Sequence, residues 1–324
     1  MDSVNRNLNG RPSCSVVMPV FNGALWLEDS IESAIAMLSA NDELIIIDDG
    51  STDESRAILK LFETFDARVR IFYRLHAGLV SALNFGVSQA RFDFIARADS
   101  DDLYHSSRLE YQIKYLVENQ NCAAVFCDYQ VIDSAGNNLG VIPSAITPAM
   151  VLLSLLNHQR TPHPGVVFRK NYFLSAGQYR EEDFPAEDYG LWLRLSKDAD
   201  LGSIPVALLI YRKHNKSVSR QHRQFQLEKQ REFRMKAIDL VAKDLNWGII
   251  SKQTKMAYSE TAYRQQRKIL AVRDLATLRL LDRNKISLCA FVNFAYKLDF
   301  FHLSSIHAIF CLIRARRKRS SSKI

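Results

Sequence analysis

Through the first part of the chain, short apolar runs alternate with longer stretches of helical periodicity. Residues 15–20 (SVVMPV) read as a buried strand and residues 25–38 as the helix after it. A second strand, residues 43–47, closes on Asp48-Asp49-Gly50-Ser51. The next helix begins near Asp53 and runs to about Phe65, with Ser51, Thr52 and Asp53 all suited to cap it. Residues 69–73 form a third strand and 79–89 a helix; a fourth strand, 93–96, runs into Asp99-Ser100-Asp101-Asp102. A helix over 108–118 and a strand over 123–129 follow. This β-α-β-α-β order predicts an α/β fold, a mostly parallel sheet with helices on both faces. Ligands on such sheets lie beyond the carboxyl ends of the strands, where both acidic clusters fall.

From residue 147 to 214 the pattern is mixed. Thr161-Pro162-His163-Pro164-Gly165 is a rigid loop entering a strand at 166–168. Residues 189–197 read as a helix opened by Glu187-Asp188, and 201–212 as strand-like around Pro205. Beyond Ser219 the sequence turns to long helical patterns rich in Gln, Arg, Lys and Leu. The division expected is a domain over 13–219 and a helical C-terminal extension over 220–324.

At 324 residues, 47% hydrophobic and 24% charged, the chain is globular in composition. Its five cysteines are scattered, odd in number and without metal-ligand spacing, which fits reduced thiols in the cytoplasm. Residues 1–13 are polar and contain no apolar core of a secretory signal. The net charge of +8 is concentrated in Arg314-Ala315-Arg316-Arg317-Lys318-Arg319, after an apolar-rich stretch at 291–313. Lys297, Asp299, His302 and His307 interrupt that stretch, so it is no clean membrane span. Two readings stay open: an interfacial helix with a basic anchor on the inner face of the cytoplasmic membrane, or a core helix with a solvated tail. Aromatic and basic residues are not interleaved, which argues against a nucleic-acid partner.

Three carboxylates within Asp99-x-Asp101-Asp102 repel one another unless a cation or donors compensate. Hard oxygen ligands suit Mg2+ or Mn2+, whereas an EF-hand is excluded because its sixth position is Tyr104, not Gly. A helix N-terminus decorated with acids is the competing explanation. At Asp48-Asp49-Gly50-Ser51-Thr52-Asp53, capping accounts for the later residues but less well for two aspartates at a strand end. One of these has the chemistry to accept from a nucleobase or ribose. Neither G-x-G-x-x-G nor G-K-[ST] is present, which argues against NAD enzymes and P-loop ATPases. Glu187-Asp188 reads either as a cap or as a general base. Tyr211-Arg212-Lys213-His214 makes a basic loop suited to phosphates.

Taken in order, Val16-Val17-Met18-Pro19-Val20-Phe21-Asn22, Ile47 to Asp53, Ala96 to Asp102, Glu187-Asp188 and His214 resemble the family 2 glycosyltransferases of GT-A (Rossmann-like) fold. The bacterial exopolysaccharide and O-antigen branch is the nearest in pattern, and the resemblance covers roughly residues 13–219. It implies that Pro19 and Phe21 line a nucleobase pocket, Phe21 stacking on the base, and that Asp49 accepts from a uracil-type imide. It further implies that Asp99 reaches ribose or metal, that Asp101 binds the divalent ion, and that His214 closes over metal or diphosphate. Asp188, with Glu187 beside it, becomes the base that activates the acceptor. Inverting single displacement then moves one sugar from a nucleotide sugar to a saccharide or polyprenol-diphosphate-linked acceptor. The segment from His76 to Asn84 keeps Gly78 and Asn84 as nucleotide contacts but carries Leu83 where many members have arginine; Arg97 is the candidate substitute. No Gln-x-x-Arg-Trp follows Glu187-Asp188, which argues against a processive synthase. The alternatives are a non-catalytic nucleotide-sugar-binding scaffold and a sugar nucleotidyltransferase. The latter is disfavoured because Phe21-Asn22-Gly23-Ala24 is not a Gly-rich basic loop.

Overall fold

The computed structural model describes residues 11–144, 162–215 and 217–244. Strands β1 (Cys14–Val20) and β2 (Glu43–Asp48) are buried at every position. That requires cover on both faces of the sheet, and the alternation of side chains supplies two cores. Val16, Met18, Leu44 and Ile46 pack with Leu27 and Ile31 of α1 (Ala24–Ala36), Leu59 and Phe62 of α2 (Ser55–Glu63), and Leu109 and Ile113 of α4 (Arg108–Glu118). Val17, Ile45 and Ile47 face Val80, Leu83 and Val87 of α3 (Leu79–Gln89). α3 lies close on the sheet: a Cβ on Gly86 would meet the Val17 side chain at 2.5 Å.

Strands β3 (Val69–Tyr73), β2, β1 and β4 (Phe94–Arg97) stand side by side, all parallel. Beyond β4 the sheet becomes mixed. β8 (Val167–Arg169) runs antiparallel to β4 and to β6 (Cys122–Asp133), and β9 (Asp200–Lys213) lies parallel to β6. Two strands have no counterpart in the expected pattern, the hairpin strand β7 (Asn138–Ile142) and the two-residue β5 (Leu103–Tyr104) on β9. α5 (Lys170–Ser175) and α6 (Glu187–Leu195) complete the second face, with Phe173 and Trp192 in its core.

After α7 (Val218–Gln221) comes α8 (Arg223–Asp244). Its Gln226 side chain donates to Pro185 O (3.0 Å), and the Phe233 ring packs on Tyr189. The first compact unit therefore runs to Phe233, past the boundary expected at residue 219, and residues 234–324 form the second. The basic run 314–319, the apolar stretch before it and Cys289 and Cys311 lie outside the described residues. Among the described residues no helix is long and apolar enough to cross a membrane. Cys14, Cys122 and Cys127 are free and buried.

Candidate active site

Because β1, β2 and β4 are parallel, their carboxyl ends open on one edge of the sheet. The pairing of β1 with β4 stops at Val17, two residues before Pro19, which has no N–H to offer a ladder. The loop after β1 is tied to the loop after β2. Asn22 Oδ1 accepts from Thr52 N (2.8 Å), Asn22 N donates to Ser51 Oγ (3.0 Å), and Gly23 N donates to Ser55 Oγ (3.0 Å). Asp49 is buried, and its carboxylate accepts from Ala77 N and from Gly78 N, the latter at 2.8 Å. His76 Nδ1 lies 2.9 Å from Asp49 Oδ2, and its ring stacks on Phe21 with centroids 4.1 Å apart. This close approach needs Gly50, whose φ is 81° and whose Cβ would stand 2.7 Å from His76 N.

The turn after β4 abuts the same rim, since a Cβ on Gly23 would meet Ser100 Oγ at 3.0 Å. One carboxylate oxygen from each of Asp99, Asp101 and Asp102 falls within 4.8 Å of the others. Asp102 is fully buried; Oδ1 accepts from Arg212 N (2.7 Å), while Oδ2 has no hydrogen-bond partner. That bond carries the end of β9 to the acid turn, so that His214 Nε2 comes 2.7 Å from Asp101 Oδ2. Trp26 shelves both basic residues, its ring 4.3 Å from that of His214 and 5.4 Å below the Arg212 guanidinium. Desolvation raises Asp99 to about 6 against the pull of Arg97, with Asp101 and Asp188 adding to the rise. Burial likewise lifts Asp102 well above the carboxylate range, reinforced by Asp101 and Asp99. Crowded hard oxygens, one of them orphaned and buried, fit a divalent cation such as Mg2+ or Mn2+.

Arg97 links this turn to the second acidic pair. It is buried, its guanidinium contacts Asp99 Oδ1 and Ala98 O, and its Nε has no partner. Its charge reaches Glu187 and Asp188 at the start of α6. Burial pushes Glu187 up to about 8, with Asp188 contributing, and pushes Asp188 up to about 6 against the Tyr189 N–H and Arg97. Beside them His163 Nε2 meets Tyr179 Oη at 2.8 Å, and burial, aided by Arg97, holds His163 neutral. Two clusters of carboxylates whose ionisation is displaced by burial thus share one buried cation, an arrangement typical of functional sites.

Residues 15–173 match the family model described as "Glycosyl transferase family 2". They form a family 2 glycosyltransferase domain. The chain is 29% identical over 212 residues to an uncharacterised glycosyltransferase of Rickettsia conorii, covering 64% of this chain and 35% of the relative. It is 28% identical over 186 residues to the Escherichia coli UDP-Gal:alpha-D-GlcNAc-diphosphoundecaprenol beta-1,3-galactosyltransferase, covering 56% of this chain and 67% of that protein. The chain spans 35 to 58% of the length of the first curated Rickettsia relatives. In fold it is similar to Staphylococcus aureus TarS 1–349 in complex with UDP-GlcNAc, with a TM-score of 0.54 at 17% identity, over 64% of this chain and 60% of that one.

In the family 2 domain Pro19, Phe21, Asp49 and Gly78 lie on one rim, and Arg97, Asp99 and Asp101 at the end of β4 beside it; His214, beyond the matched residues, meets Asp101 from the end of β9. Glu187 and Asp188 stand within the field of Arg97 and Asp99. Asn84, expected as a nucleotide contact, bonds the backbone N and O of Tyr179 through its side-chain amide and braces α3 against that loop. Sequence reasoning counted Asp102 in the acid cluster without a separate role, and assigned none to His76, His163 or Tyr179. Asp102 was visible in the acid run; the others act through contacts between distant segments that no local motif announces.

Proposed function

We propose that the chain transfers one sugar from a UDP-linked donor to an acceptor hydroxyl by single displacement with inversion. A lipid-linked oligosaccharide presented at the inner face of the cytoplasmic membrane is the acceptor. The observation that carries this reading is the juxtaposition of the acid turn and the Glu187–Asp188 pair across Arg97. The family match, the UDP-GlcNAc bound by TarS and the diphosphoundecaprenol acceptor named for the E. coli relative support it.

Phe21 and the residues around Asp49 receive the nucleobase. Asp99 and Asp101, with His214 beside them, would hold Mn2+ or Mg2+, which would supply Lewis-acid stabilisation to a diphosphate leaving group. Asp188 takes the acceptor proton while the acceptor oxygen bonds to the anomeric carbon and the bond to UDP breaks. General bases of this kind contribute roughly 10²–10⁴-fold.

Purified protein with UDP-sugars, Mn2+ and a polyprenol-diphosphate-linked sugar tests the proposal. Transfer is expected, with inverted anomeric configuration by NMR; a scaffold gives none. Asp188→Asn should lower transfer by at least about 10²-fold while UDP binding persists. Wild-type transfer by that variant would remove Asp188 as the base.

A further inference from the structure

The sheet parts where the acid turn begins. Pairing of β4 with β8 ends at Ala96 and Val167, and pairing of β6 with β8 ends at Val125 and Val167. Just beyond those points the backbone bonding thins, although Val166 O still accepts from Arg97 N (3.0 Å), and buried carbonyls need donors. Two side chains of α4 supply further donors there. Arg108, with no exposed surface, donates from Nη2 to Arg97 O and Val166 O (both 3.0 Å) and from Nε to Gln112 Oε1 (3.0 Å). Gln112 Nε2 donates in turn to Val125 O (2.9 Å) and Gly165 O (2.8 Å).

Among the described residues no carboxylate lies within ion-pair distance of Arg108. Its guanidinium sits 5.1 Å from the centre of the Tyr104 ring. Tyr104 is buried as well, and its hydroxyl meets both backbone groups of Asp99: it donates to Asp99 O (2.8 Å) and accepts from Asp99 N (2.5 Å). Asp99 is thereby pinned from Tyr104, five residues ahead, and the carbonyl of Arg97, two residues behind, is pinned by Arg108.

We propose that Tyr104 and Arg108 are positioning residues, fixing the backbone from Arg97 to Asp101 so that the carboxylates of Asp99 and Asp101 converge on one divalent cation. The inference rests on the reading of that turn as a metal–diphosphate site. Neither residue touches substrate; each acts through the turn.

Calorimetric titration of the full chain with UDP, once in EDTA and once in excess Mn2+, gives a ratio of two Kd values that isolates the metal's contribution. Losing both hydrogen bonds to Asp99 should shrink that ratio about 30-fold in Tyr104→Phe, the equivalent of about 2 kcal/mol, while Kd in EDTA stays at the wild-type value. Arg108→Lys keeps the charge but loses the planar fork, and should shrink the ratio as well. A merely structural role would lower Tm and weaken UDP equally with and without Mn2+; that outcome, or an unchanged ratio in Tyr104→Phe, overturns the proposal. A wild-type ratio of one, with UDP still bound, overturns the metal reading and the inference with it.

Discussion

Asp188 sits at the first turn of a helix, where the dipole favours an anion, yet desolvation outweighs that and raises it to about 6. Only the ionised form accepts a proton. kcat/KM should therefore rise with pH through an apparent pKa near 6 and fall about tenfold per pH unit below it, measured with a saturating acceptor. Glu187 is pushed further, to about 8, because it is buried and stands next to Asp188. At neutral pH it is mostly uncharged, its Oε2 lacking any hydrogen-bond partner. Glu187→Gln preserves shape and neutrality and is expected to keep transfer within about threefold of wild type, well short of the loss assigned to a missing base. A collapse of transfer in that variant would show that Glu187 works as a carboxylate.

At the scale of elements, the first turns of α8, up to Phe233, pack with the helix that carries the proposed base. Besides the Gln226 bond to Pro185, a Cβ on Gly190 would stand 3.2 Å from the Phe233 ring, so the two helices approach closely through a missing side chain. Phe233→Ala should cost about 2 kcal/mol, below the usual range for a fully buried phenylalanine, read by chemical denaturation. The same variant should lower kcat while leaving UDP affinity unchanged, because α6 bears Asp188 and no nucleobase contact. The first four strands and their helices were legible because each βα unit announces itself locally, by an apolar run, a turn and an amphipathic stretch. β5 is two residues long, and β9 pairs with β6 across nearly 80 positions of sequence, as Cys127 with Ile204. No periodicity encodes such a partnership, so the mixed half of the sheet stayed hidden.

Across the whole molecule, what could be read in advance was whatever concentrates charge in a few adjacent positions: the Asp99–Asp102 turn, Glu187-Asp188 and the basic end at His214. The neighbours of these groups depend on strand order. Tyr179 is held by Asn84, 95 residues away, and Arg212 reaches Asp102 across 110. That last bond has a consequence for synthesis. Residues 19–78 supply the first rim and emerge early from the ribosome, but the acid turn gains its buried anchor only when position 212 has followed. A nascent chain arrested before that point leaves Asp102 without the Arg212 N–H that holds it, so the acid turn is completed only late in synthesis.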